Sequence, residues 1–396
     1  MRTRETMMRL KILPCYWSIL AFLCFSVSQS NAQTYQGYDQ KTRRGAQYIP
    51  YEKNPWELRA DVHFGFVIPE YQHFNYIVNK PVQGFELSLQ KASRGRNFWE
   101  QLYRYPEFGF TLFASSLGNN DVFGHEIALY PYIQTPIVRK DKFQFSTTFG
   151  FGAGYATKKF DLVNNYQNVS VGSHFNIHFN LKLSTHYDIS KHLRINAGLS
   201  FVHFSNANMA EPNLGINLFT AHAGVNYRFR EKLPLFMHEM KAHQPVHEFA
   251  FIYALGGKHT RALQTDVYFT SSISAEYKYH LKRKFHFGAG LDLFYDSSTK
   301  VEMAANNTAE HSTADDFRTG IHLSQEVVFE RFSFILQEGF YIGLVDQVNG
   351  KRIYNRGILR WKINPHWMMG ISMKSHLHIL DYPELGFGYY FTRKKA

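Results

Sequence analysis

Apolar and polar residues alternate with a period of two along most of the chain. From Trp56 to Ile68 the even positions read Trp56, Leu58, Ala60, Val62, Phe64, Phe66 and Ile68, and the odd ones include Glu57, Arg59, Asp61 and His63. From Phe143 to Tyr155 the odd positions are Phe143, Phe145, Thr147, Phe149, Phe151, Ala153 and Tyr155. Phe175 to Tyr187, Phe285 to Tyr295 and Leu385 to Phe391 repeat the scheme. Successive side chains on a strand point to opposite faces, so each segment predicts a strand with one apolar and one polar side. About 16 such strands, with 12 to 16 as the range, fit between residues 55 and 392.

A soluble sandwich also has two-faced strands. The segments here run to about 11–15 residues, against the usual five or six of globular strands, and that length spans a bilayer when tilted. Their polar faces are densely polar. The connections alternate too. Arg139-Lys140-Asp141, Ser190-Lys191-His192, Lys282-Arg283 and Asn364-Pro365-His366 are tight turns, whereas Phe160 to Ser170, Ser297 to Asp315 and Asp346 to Arg352 are longer and polar. Outer-membrane barrels have short periplasmic turns and long external loops. The expected fold is therefore all-β, an antiparallel transmembrane β-barrel over residues 55–396 with both ends periplasmic. The connection from Arg230 to His247 is long for a periplasmic turn; it either hides a strand or marks the boundary between two smaller barrels.

Composition strengthens this picture. Aromatic residues make up 17% of the chain, with 36 Phe and 25 Tyr, yet mean hydropathy is negative. Beyond residue 32 no run of 18 apolar residues occurs, so no membrane helix is expected. The first residues read as a secretory signal peptide, 1–32. Arg2, Arg4, Arg9 and Lys11 precede an apolar stretch from Ile12 to Val27, and Ser30-Asn31-Ala32 favours cleavage before Gln33. Residues 33–54 would then form a periplasmic N-terminal segment. Cys15 and Cys24 both lie in the leader, so no disulfide or thiolate chemistry would survive processing. The net charge of +12 points to an anionic partner. Export makes that partner phosphorylated membrane lipid and not nucleic acid.

The segment Leu199 to Asn217 carries the candidate chemistry. Its leading strand places Leu193, Ile195, Ala197, Leu199 and Phe201 on the apolar face, and His203 and Ser205 continue that stripe. Asn217 faces outward by the parity of the following strand. A polar cluster on a lipid-facing wall is costly without a role. Serine needs an adjacent base to become a nucleophile, histidine titrates in the right range, and a third group fixes its tautomer. Acyl-ester hydrolysis uses that set. The spacing alone is common and more often that of a barrel's interfacial rim. Other motifs carry less. His376 and His378 lack companion ligands for a metal. Gly172-Ser173-His174 puts its serine and histidine on opposite strand faces. The glycines from Gly150 to Gly154 lie inside an alternating strand and form no phosphate loop.

The longer string, H-F-S-N-A at His203 to Ala207 followed by P-N-L-G-I at Pro212 to Ile216, resembles the lipid A 3-O-deacylase family of outer-membrane barrels (PagL-type, related to acyloxyacyl hydrolases). The resemblance implies a serine esterase acting on lipid A in the outer leaflet, without a cofactor or metal. It implies His203 as base, Ser205 as nucleophile, and Asn206 and Asn213 as oxyanion candidates. The chain departs from the family at Asn217, where better-known members carry an acid. Asn217 is expected to orient His203, with Glu211 as the alternative. The family's barrel is about half as long, so residues 55–231 would hold the site and residues 232–396 form an extension. The competing reading is a non-enzymatic barrel, porin-like or a degenerate relative, since 16 strands in one closure would enclose an aqueous lumen.

Overall fold

A computed structural model describes residues 53–394, apart from 70, 71, 73, 238, 240–242, 261–265, 307–309, 349 and 378. The expected signal peptide, its cleavage site and His378 lie outside the described residues. Sixteen strands are formed among the described residues, all pairing antiparallel with their neighbours. They close twice. The first barrel comprises β1 (Trp56–Val67), β2 (Val82–Ala92), β3 (Glu107–Ser116), β4 (His125–Lys140), β5 (Phe143–Ala156), β6 (Phe175–Asp188), β7 (Leu193–Ser205) and β8 (Ile216–Arg228). The second comprises β9 (Val246–Lys258), β10 (Tyr268–Tyr279), β11 (Phe285–Asp296), β12 (Phe317–Phe329), β13 (Phe332–Tyr341), β14 (Ile353–Lys362), β15 (Trp367–His376) and β16 (Ile379–Lys394). In the first, β1 pairs with β8, setting Glu57 opposite Arg228; in the second, β9 pairs with β16, setting Gly256 opposite Glu384. The long connection after Arg230 is thus the passage between two barrels, one of the two readings the sequence left open. Short helices α1 (Phe74–Ile77), α2 (Phe98–Leu102) and α3 (Thr299–Ala305) lie in the connections.

The strand faces are reversed relative to a water-soluble protein. On β1 the polar Glu57, Arg59, Asp61 and His63 are buried, while Val62 and Phe64 are each 61% exposed. Exposed apolar residues cover the outside of both barrels, as a wall in lipid requires. The interiors are filled. Glu86 accepts hydrogen bonds from Arg59 at 2.6 Å and Lys182 at 2.6 Å, and Glu107 accepts from Arg194 at 3.1 Å and Gln134 at 2.8 Å. In the second barrel Glu276 holds Arg360 at 2.9 Å and Gln337 at 2.7 Å, Glu326 holds Lys278 at 3.0 Å, and Asp292 pairs with His322 and Arg356. Eight strands leave an interior only wide enough for side chains. The aqueous lumen of a single sixteen-stranded closure is accordingly replaced by two packed cores of paired charges.

The outer end of the first barrel is plugged by apolar side chains. Val202, Phe204, Ile216 and Leu218 point inward there to meet Phe113, Leu117, Phe123 and Val171. A Cβ on Gly154 would lie 2.5 Å from the Phe204 ring, so that close approach requires glycine. The barrels touch along a seam. Phe149 of β5 meets Phe334 of β13 with ring centroids 5.9 Å apart. Tyr103, just beyond α2, stacks on Phe329 at 4.3 Å and donates its hydroxyl hydrogen to the Val328 carbonyl at 2.7 Å.

Candidate active site

Because Phe204 is locked inward, its neighbours His203 and Ser205 must face outward. Register does the rest: β7 pairs with β8 so that His203 stands directly opposite Asn217. His203 Nδ1 lies 2.7 Å from Asn217 Oδ1, and its Nε2 lies 2.9 Å from Ser205 Oγ. With the ring proton on Nδ1, the imidazole donates to the amide oxygen and accepts the serine hydroxyl hydrogen at Nε2. The three side chains form one hydrogen-bonded line on the outside of the wall. That is the geometry by which a base activates a serine and a third group holds the base.

The site is sheltered despite its lipid-facing position. Leu199, on the same face of β7, is 48% exposed, but Ser205 only 8% and Asn217 only 6%. The loop from Asn206 to Gly215 folds over them. Gly215 takes the left-handed region with φ 72°, and a Cβ there would sit 3.2 Å from His203 Cε1 and 3.3 Å from Ser205 Cβ. Only glycine gives the backbone this close approach without strain. The Gly215 N–H donates to Ser170 O at 3.0 Å, pinning the loop to the β5–β6 connection.

Inside the loop, the Asn206 N–H donates to Asn213 Oδ1 at 3.0 Å, and Asn206 Nδ2 donates to Ala210 O at 2.8 Å. Asn206 is fully buried and its amide braces the loop. Asn213 is held by its oxygen, which leaves the orientation of its NH2 group fixed. Among the described residues, Glu211 makes no hydrogen bond to His203 or Ser205, whose partners are Asn217 and each other. Burial raises its carboxyl above the ordinary range, against the pull of the Asn213 N–H and the nearby His259 of the second barrel. Asn217, and not Glu211, is the residue in contact with His203 Nδ1. A contact the sequence did not reveal crosses the seam: Asn208 Nδ2 donates to the Asp381 carbonyl at 3.2 Å, tying the loop to β16.

The remaining motifs are structural. Ser173 Oγ donates to Phe175 O at 2.7 Å and His174 Nδ1 to Ala156 O at 2.8 Å, so they do not form a pair. His376 points into the second barrel, where Tyr341 Oη lies 3.0 Å from its Nε2. Among the described residues, the one group with metal-ligand geometry is Asp61, His63 and Glu86. Arg59 and Lys182 already neutralise its carboxylates, which makes it part of the ion-paired core.

Two family models match the chain. One, described as lipid A 3-O-deacylase (PagL), covers residues 83–226; the other, described as the acyloxyacyl hydrolase C-terminal domain, covers residues 247–394. The first falls within the first barrel and the second spans nearly all of the second. Among solved structures, the outer-membrane enzyme PagL is 13% identical with a TM-score of 0.27, the alignment covering 42% of this chain and 97% of that one. A mutant Rh. blastica porin is 10% identical with a TM-score of 0.18, covering 85% and 100%. The NanC porin is 9% identical with a TM-score of 0.14, covering 85% and 100%. Superpositions this loose carry no functional argument. No curated protein matches the chain.

Proposed function

The chain belongs to the lipid A 3-O-deacylase and acyloxyacyl hydrolase family of outer-membrane barrels, and from that premise we propose that it is a serine esterase removing an ester-linked acyl chain from lipid A. The observation that carries this reading is the line Ser205–His203–Asn217, with contacts of 2.9 and 2.7 Å on the outward wall. Lipid A in the outer leaflet already lies beside that wall, so its ester meets the serine without leaving the membrane.

Ser205 Oγ attacks the ester carbonyl carbon as its proton passes to His203 Nε2. The amide oxygen of Asn217 holds the Nδ1 proton in place throughout. The Asn213 amide group, with loop N–H groups braced by Asn206, is the oxyanion donor set. Collapse of the tetrahedral intermediate expels the sugar alkoxide, which takes the proton from His203 and leaves the acyl group on Ser205. Water, deprotonated by His203, then releases the fatty acid. Residues 1–32 serve in this reading as the leader that exports the chain, cleaved before Gln33.

The test is mass spectrometry of lipid A from cells expressing the wild-type chain or Ser205→Ala. Loss of one acyl mass with wild type alone is expected. Unchanged lipid A from both strains, with the protein folded in the outer membrane, would overturn the reading. The porin-like alternative finds no support in two ion-packed interiors. A non-catalytic family member keeps one observation in its favour, the missing negative charge at Asn217.

A further inference from the structure

The turn that follows Ser205 is strained, and it is held from outside its own barrel. Ala207 and Asn208 both take the left-handed region, with φ 54° and 61°, and the Met209 N–H closes the turn on the Asn206 carbonyl at 3.1 Å. Asparagine accepts that backbone readily, whereas alanine is strained in it. The two arms of the loop are anchored differently. On the arm that precedes β8, the Leu214 and Gly215 N–H groups donate to Val169 O at 3.3 Å and Ser170 O at 3.0 Å, both of the first barrel. On the arm that follows Ser205, the one hydrogen bond among the described residues that leaves the loop runs from Asn208 Nδ2 to the Asp381 carbonyl of the second barrel, at 3.2 Å. Asp381 is built to receive it. Lys374 stands opposite Tyr382 and Ser375 opposite Leu380, so Asp381 is the extra residue of a bulge and has no partner in the ladder to β15 or to β9. A bulge takes a residue out of the ladder and re-aims it. The Asp381 side chain is fixed as well: Oδ1 lies 3.1 Å from Lys258 Nζ and Oδ2 2.7 Å from Lys374 Nζ, and Lys258 also holds Asp296 at 3.2 Å and Glu302 of α3 at 3.0 Å. His259, next in the chain to Lys258, is near enough for its charge to act on the Glu211 carboxyl, a second approach of the second barrel to the same loop.

We propose that the second barrel is a working part of the esterase: its Asp381 carbonyl braces the turn after Ser205 through Asn208, which makes Asn208 a positioning residue. This role presupposes that Ser205 is the nucleophile of a lipid A esterase. The bracing residue lies outside the match to the deacylase family, which ends at residue 226. The brace acts through Asn206. The Asn206 N–H is bonded to Asn213 Oδ1 and its side-chain amide to Ala210 O. A turn that drifts therefore carries the Asn213 NH2 group with it, away from the oxyanion. The lipid-facing wall that receives the acyl chains is untouched, so the loss falls on kcat.

Kinetics of the full chain in detergent micelles test the brace. Asn208→Gly and Asn208→Asp both keep a residue that tolerates the left-handed region and remove the donor. Each is expected to lower kcat for fatty-acid release from lipid A about tenfold with KM little changed, and to slow fluorophosphonate labelling of Ser205 alike. Met209→Ser, a change at the exposed neighbour, should leave both rates at the wild-type value. Backbone hydrogen exchange over residues 206–215 should lose protection in the Asn208 variants alone. Heat-modifiable migration in gels confirms that each variant remains folded. With an active wild type, an unchanged kcat or undiminished protection in Asn208→Gly would overturn the brace and leave the esterase standing. An equal loss in Met209→Ser would also overturn it, as a general sensitivity of the loop. A wild type that leaves lipid A intact and Ser205 unlabelled would instead overturn the esterase reading, and with it the catalytic role of Asn208; hydrogen exchange would then still report whether Asn208 holds the loop.

Discussion

Asn217 is the residue on which the strength of the proposed chemistry turns. Its amide oxygen fixes the His203 tautomer through a 2.7 Å contact, but a neutral group gives no charge to the imidazolium that forms during attack. In triads the orienting group acts through both tautomer and charge. Asn217→Asp should therefore raise kcat on lipid A, by up to about tenfold, a gain of roughly 1.4 kcal/mol in the barrier. Asn217→Leu should lower it by about 10²-fold or more, with the ring no longer held. Initial-rate release of fatty acid in micelles measures both. Equal rates for all three proteins would remove Asn217 from the mechanism. Alternation along β7 and β8 was enough to place His203, Ser205 and Asn217 on one face from the sequence. It could not reveal that the Asn206 amide is used up within the loop, because loop hydrogen bonds follow from backbone course and not from parity.

The loop from Asn206 to Gly215 shapes the site from above. Gly215 lies in the left-handed region and within van der Waals reach of both His203 and Ser205. Gly215→Ala should cost about 1 kcal/mol of local strain and displace the pair by a few tenths of an ångström. The expected outcome is a slower reaction of Ser205 with a fluorophosphonate probe, roughly tenfold, in a barrel whose heat-modifiable migration is unchanged. Labelling at the wild-type rate would show that the loop has room to give. The strands and their tight turns were legible in the sequence because two-faced strands of membrane-spanning length have few other uses. Helix α2 was not, since five residues, Phe98 to Leu102, are too few for a helical period to declare itself. The hold of Asn208 on Asp381 was hidden for a different reason: they lie 173 positions apart, and no local pattern reports which loop of one barrel meets which strand of the other.

At the scale of the molecule, paired charges do inside each barrel what apolar side chains do in a soluble core. Glu86 gathers Arg59 and Lys182, all three almost fully buried. Breaking a buried pair leaves uncompensated charge at a cost of about 3–5 kcal/mol. Glu86→Ala should accordingly lower the temperature at which the first barrel loses heat-modifiable migration, and Lys182→Met in the same chain should restore part of the loss. No change with Glu86→Ala would mean that water reaches the cluster. Strand count was readable from the sequence, but closure was not: alternation assigns faces and is silent on which strand meets the first. Sixteen strands fit one ring or two, and only the length of the connection after Arg230 hinted at the answer. Because β1 is sewn to β8 and β9 to β16, no ladder hydrogen bond among the described residues passes from one ring to the other. Heat or denaturant thus meets two closed rings on one thread, coupled through the seam contacts of Phe149 with Phe334, Tyr103 with Phe329 and Asn208 with Asp381.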